Sequence, residues 1–132
     1  MKRSRQATLR GAEEFGAVFA QPSVSRDAFF RVLSRSNELP YSRLGMAVSR
    51  RACRLAVGRN RLKRIIRESF RRHQAGFVGS EARDFVVLPT QGAATISNPE
   101  LFESLRIHWR KQESIARKTA EQRNAPREPR GK

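Results

Sequence analysis

From Arg59 to His73 the chain reads RNRLKRIIRESFRRH, fifteen residues without Gly or Pro and enough for about four helical turns. On a helix, Leu62, Ile65, Ile66, Ser69, Phe70 and His73 gather on one side. Asn60, Arg61, Lys63, Arg64, Arg67, Glu68, Arg71 and Arg72 take the other, and Arg59 lies near the seam. One side can enter a core while the other stays densely positive. Ahead of this stretch, Gly11 can cap a helix with Glu13 and Glu14 in its first turn, and Phe15, Val18 and Phe19 share one face. Pro22 ends that helix. Ser23–Arg26 reads as a short edge strand. Ala28–Arg35 alternates more clearly, with Phe30, Val32 and Ser34 on one side and Phe29, Arg31, Leu33 and Arg35 on the other. After a loop at 36–42, Arg43–Arg50 reads as a strand with Leu44, Met46 and Val48 inward and Gly45, Ala47 and Ser49 outward.

Beyond the central helix, the stretch at 74–83 contains Gly76 and Gly79 and reads as a loop. Asp84–Leu88 is a fully buried strand stopped by Pro89, and residues 91–97 form a polar connection. Asn98-Pro99-Glu100 starts a last helix with a cap, a first-position Pro and an early acid. Its stripe holds Leu101, Phe102, Leu105, His108, Trp109 and Ile115. The expected class is α+β, in the order α-β-β-β-α-β-α, with three helices on a mixed sheet of about four strands. The unit from Arg43 to Leu88 makes a parallel pair in an otherwise antiparallel sheet. Residues 1–10 are expected to be a flexible basic arm, 11–117 a single folded domain and 118–132 a disordered basic tail. Two points stay open. The Phe15/Phe19 pair either packs in the core or offers stacking surface to bases. The sheet face with small residues beside Phe29 and Arg31 is either a groove or a face covered by a terminal helix.

Charge narrows the function. Among 132 residues, 28 Lys+Arg face 12 Asp+Glu, a net charge of +16 that attracts phosphate backbones or anionic membranes. A membrane partner fits less well, because the longest apolar run, Phe85–Leu88, cannot span a bilayer and no apolar segment follows Lys2 and Arg3. Arg outnumbers Lys, which favours forked contacts with phosphate. Arg59, Lys63, Arg67 and Arg71 form an i,i+4 ladder of like charge, and the helix's one acid, Glu68, can reach only Arg64 or Arg72 at that spacing. A solvated face normally mixes signs, so the ladder points to a polyanion. Cys53 stands alone among small and aliphatic neighbours, which reads as a packed thiol in a reducing cytoplasm. Catalytic chemistry is missing from the pattern. His73 and His108 lie on apolar stripes, and no Cys/His cluster, paired carboxylates or glycine-rich phosphate loop is present. No catalytic side chain and no metal or cofactor held by dedicated protein ligands is expected.

The segment from Ala56 to Arg71, AVGRNRLKRIIRESFR, closely resembles the signature of the bacterial ribonuclease P protein subunit. The early helix with Phe15 and Phe19, the strand ending at Arg50-Arg51, the buried strand and the Trp-bearing last helix extend the resemblance over residues 9–117. It implies a compact two-layer α/β sandwich of ribosomal-protein type with a left-handed crossover through the basic helix. It also implies a subunit that joins a catalytic RNA to remove the 5′ leader of precursor tRNA, with the chemistry belonging to the RNA and its magnesium. The implied partners are that RNA and precursor tRNA, with no membrane and no DNA. Arg59, Asn60, Arg61, Lys63, Arg64 and Arg67 match the RNA-contacting motif, Arg71 extends the ladder, and Arg50 and Arg51 stand where the family often has two lysines. Phe15 and Phe19 match aromatic positions of a leader cleft, with Phe29, Arg31 and Leu33 as candidates for its sheet wall. The alternative is a non-catalytic ribosomal or general RNA-binding protein using the same helix.

Overall fold

The computed structural model describes residues 8–9, 11–20, 22–74 and 81–124. Most of the expected arm (1–7 and 10), the centre of the 74–83 loop (75–80) and the end of the tail (125–132) lie outside the described residues. The elements are α1 (Gly11–Ala20), β1 (Ser23–Arg26), β2 (Phe30–Ser36), β3 (Arg43–Met46), α2 (Ala56–His73), β4 (Arg83–Pro89), a 3-10 turn at Gln91–Thr95 and α3 (Asn98–Asn124). The expected order holds.

The strands lie in the order β1-β2-β4-β3, so the strongly apolar β4 sits inside the sheet. It pairs antiparallel with β2 and parallel with β3, as the Arg43–Leu88 unit predicts. Leu33 stands opposite Val86, and Val86 opposite Gly45. Phe30, Val32, Leu44, Phe85 and Val87 face α2 and α3 in the main core. Leu33 and Val86 face the other way and meet Val18 of α1 and Leu9. The sheet thus separates the basic helix from the aromatic one. Helix α2 buries Leu62, Ile65, Ile66, Ser69 and Phe70, as its periodicity requires. Trp109 of α3 is fully enclosed against the rings of Phe70 and Phe85, and its Nε1–H donates to Ser69 Oγ at 2.8 Å.

Several boundaries move for local reasons. Helix α2 begins before Arg59 because Gly58, which as a breaker argues against helix, is needed there. A Cβ on it would meet Cys53 Sγ at 2.4 Å. Strand β3 ends at Met46 instead of reaching Arg50, since Ser49 turns the chain by accepting from the Ala52 and Cys53 backbone N–H groups. Strand β2 starts at Phe30 because Asp27 Oδ1 accepts from the N–H groups of both Phe29 and Phe30, bending the chain ahead of it. The cap of α3 is Ser97, not Asn98: its hydroxyl accepts from Glu100 N and donates to Glu100 Oε1. Two domain limits shift as well. Thr8 bridges Leu44 and Leu9 is buried, so the arm gives way to packed chain before residue 10. Helix α3 runs on through Lys118 to Asn124, where the tail is expected.

Beneath α3 lies a buried polar chain. Gln112 accepts from Ser34 Oγ at 2.6 Å and donates to Ser25 Oγ and the Val32 carbonyl. Ser25 Oγ lies 2.7 Å from His108 Nδ1, and His108 Nε2 lies 3.3 Å from Asp27 Oδ1. Arg83 donates to Ser34, Ser23 and Glu81. Buried polar groups need such partners, which is why a glutamine can occupy the inner stripe. Burial holds the His108 pKa below its ordinary 6.5, outweighing the Asp27 carboxylate. The unfolded chain therefore takes up this proton first as pH falls, and stability present above 6.5 is lost below it. The denaturant midpoint is expected to fall between about pH 7.5 and pH 5.5, with His108→Gln showing a shallower fall. Identical slopes for the two proteins would rule out His108 as the source.

Candidate nucleic-acid interface

Helix α2 turns its polar side outward, but its cations are not equivalent. Arg61 reaches the start of α3 and the chain ahead of it, donating to Asn98 Oδ1 at 2.9 Å, to the Ala94 carbonyl at 3.4 Å and, closest of all, to the Ile96 carbonyl. Arg59 donates to the carbonyls of Cys53 at 3.0 Å and Arg54 at 2.8 Å. Both side chains therefore hold the fold together at the two ends of neighbouring connections. Glu68 pairs with Arg71 at 2.5 Å and Arg72 at 3.0 Å rather than with Arg64. Hydrogen bonds from Arg71, then Arg72, hold its carboxyl below the usual range. The charge ladder is thus partly neutralised at its C-terminal end. Asn60, Arg64 and Arg67 are exposed and Lys63 is half-buried.

The connection from β3 into α2 extends the cationic surface. Arg50, Arg51 and Arg54 are all exposed, and among the described residues none of the three side chains forms an ion pair. Arg54 was not singled out by the motif; its signal was only its place in the Arg50–Arg54 run.

The aromatic candidates lie across the sheet. Phe15 is half-buried against the Leu33–Val86 cluster, whereas Phe19 is exposed. The open alternatives resolve as a mixture: α1 covers part of this face, and the register leaves Arg26 and Arg31, cross-strand neighbours, exposed beside it. Two wall candidates do not fit. Leu33 is only 1% exposed, sealed under α1, so it supports the face without forming its surface. Phe29 packs against the main core instead, because the Asp27 bend breaks the alternation that put it beside Arg31. No sequence pattern marks Arg26; only the β1–β2 register brings it beside Arg31. Arg35, on the strand face the alternation assigns it, donates from Nη1 to the Ala17 carbonyl at 2.8 Å and fixes the end of a helix with no basic residue in its last turn.

Gly45 explains how α1 comes so close. A Cβ there would meet Phe15 Cζ at 2.7 Å and Leu9 Cδ1 at 3.0 Å. Glu14 reaches Arg43 at 2.9 Å, and Arg43 reaches Asp84 at 2.7 Å, tying the helix to the sheet by charge. No group of three His, Cys, Asp or Glu suited to a metal ion occurs among the described residues, and none of their helices is long and apolar enough to cross a membrane.

A family model described as Ribonuclease P matches residues 3–113. The ribonuclease P protein component of Vibrio cholerae is 39% identical over 108 residues, covering 82% of this chain and 89% of the relative. That of Pseudomonas syringae pv. tomato is 36% identical over 124 residues, covering 93% and 90%. The solved RNase P protein of Thermotoga maritima superposes with a TM-score of 0.66 at 32% identity, covering 76% of this chain and 92% of that one. The Staphylococcus aureus RNase P protein gives 0.69 at 27% identity, covering 77% and 91%. With the basic α2, the β3–α2–β4 parallel unit and α1 on the far face all in place, the chain belongs to the ribonuclease P protein family.

Proposed function

We propose that this chain, as the protein subunit of ribonuclease P, binds a catalytic RNA through α2 and the Arg50–Arg54 connection and takes the 5′ leader of precursor tRNA on the α1 face of the sheet. Endonucleolytic removal of the leader is the RNA's chemistry, with magnesium held on the RNA. The protein supplies cations and orientation, and a cytoplasmic setting follows from that partnership. One observation carries the reading: the sheet separates a cationic surface on α2 from an aromatic and Arg-bearing surface beside α1. Two RNA segments can therefore be held at once without competing.

Leader recognition separates this reading from a general RNA-binding role. The reconstituted particle is expected to bind precursor tRNA more tightly than mature tRNA, and equal affinities would refute a leader site. A second test concerns the cations themselves. Lys63→Ala and Arg64→Ala are each expected to flatten the dependence of log affinity for the catalytic RNA on log salt by about 0.7–0.9. Arg61→Ala, which removes an internal clamp, should lower thermal stability while leaving that slope near the wild-type value. An unchanged slope for Lys63 and Arg64 would mean that these side chains only face water.

A further inference from the structure

Within the cationic surface lies an apolar feature that charge does not explain. Leu55, Ala56 and Val57 are consecutive and all exposed, with Leu55 at 69% and Val57 at 74%. No other large hydrophobic residue described is as open; Tyr41, the next, stands at 51%. Single exposed aliphatics are ordinary, but a run of three is unfavourable unless something covers it. This run sits where the chain enters α2, between Arg54 and Arg59. Leu55 occupies the cap position without giving a side-chain hydrogen bond, and the first turn holds no acid. The first-turn N–H groups, which lack partners within a helix, therefore lie at the same end of α2 as the aliphatic run.

The run is also held firmly. Arg59 donates to the Cys53 and Arg54 carbonyls, the Cys53 thiol approaches the Leu55 carbonyl at 3.7 Å, and Ser49 fixes the turn before it. A rigid apolar surface loses little entropy when covered. A second copy of this chain would bring Arg50, Arg51 and Arg54 against like charge, which disfavours self-association. A polyanion that also carries flat apolar faces suits both features.

We propose that Leu55 and Val57 form an apolar seat for an unstacked nucleobase of the catalytic RNA, whose flanking phosphates meet the α2 N-terminus and Arg50, Arg51 and Arg54. The seat rests on the RNA-binding reading above and specifies one contact within it. The RNA in question is the catalytic RNA rather than the leader, because α2 lies on the sheet face opposite α1.

The test is direct binding of the full chain to ribonuclease P RNA without any tRNA, across a series of salt concentrations. Leu55→Ser and Val57→Ser are each expected to weaken binding about tenfold at every salt concentration, with the wild-type slope preserved. Leu55→Met and Val57→Ile should keep wild-type affinity. Because both residues are exposed, Val57→Ser, Val57→Ile and Leu55→Met should retain the wild-type thermal midpoint, whereas Leu55→Ser, which places a favoured cap at the start of α2, should keep or raise it. Wild-type affinity in the two serine variants overturns the seat while leaving the RNA-binding reading standing. Wild-type self-association that the serine variants abolish, with RNA affinity unchanged, also overturns it. Failure of the wild-type chain to bind the RNA would instead remove the reading on which the seat rests.

Discussion

Trp109→Ala is expected to cost about 3–5 kcal/mol, a large share of the roughly 5–15 kcal/mol that holds a domain of this size folded. The residue is fully buried at the junction of α2, α3 and β4. Its ring meets Phe70 edge-on at 5.4 Å and Phe85 at 5.7 Å, and those two meet each other at 5.6 Å. Truncation would open a cavity that three different elements would have to close together. Aromatic pairs also contribute beyond the area they bury. Trp109→Phe separates packing from polarity: it keeps a ring but leaves Ser69 Oγ, inside the core, without its indole donor, at about 1–3 kcal/mol. Denaturant midpoints of the two variants measure both quantities. A loss below about 1 kcal/mol in the alanine variant would mean that this junction is not where α3 is anchored.

Why some of this was readable from sequence and some was not follows from the physics of each element. The α2 stripe is read correctly because five apolar or small residues recur at helical spacing and bury together. Its start is missed because Gly58 signals a break, whereas a close approach to Cys53 requires it. In α3 the apolar positions are apparent but Gln112 is not. Its burial depends on Ser25 and Ser34, which are distant in the chain and come beneath it only once β1 and β2 pair. The sheet wall fails at Phe29 for a similar reason, since two-residue alternation assumes a straight strand and Asp27 bends this one.

The basic surface was found by charge, but charge does not reveal which guanidinium is already engaged. Arg59 and Arg61 belong to the same motif as Lys63 and Arg64, yet they donate to backbone carbonyls of neighbouring segments. Their planar forks suit that duty better than an ammonium would. The motif's residues thus divide between shaping the surface and presenting charge from it.

That division reaches the other face through Arg43, whose loss is expected to cost about 3–5 kcal/mol because it leaves the Asp84 carboxylate buried without its cation. The Asp84 side chain is 8% exposed, and Arg43 grips it with two hydrogen bonds of 2.8 and 2.7 Å. Arg43 also holds Glu14, so the same substitution releases one of the ties of α1. Asp84, followed by Glu14, raises the Arg43 pKa still further, so the guanidinium stays charged throughout. If the uncompensated carboxylate dominates the loss, Arg43→Met combined with Asp84→Asn should be more stable than Arg43→Met alone. Asn37, whose amide donates to Asp84 Oδ1 at 2.7 Å, can still bond an asparagine carbonyl after reorienting little. Leader binding should respond differently. If the α1 face takes the leader as proposed, Arg43→Met lowers the preference for precursor over mature tRNA, and the double variant, which regains stability but not the Glu14 tie, should stay as low. Joint recovery of stability and preference would show that the apolar packing of Val18 and Phe15 and the Arg35–Ala17 bond suffice to position α1, and that the Glu14–Arg43 pair contributes nothing to the proposed leader face.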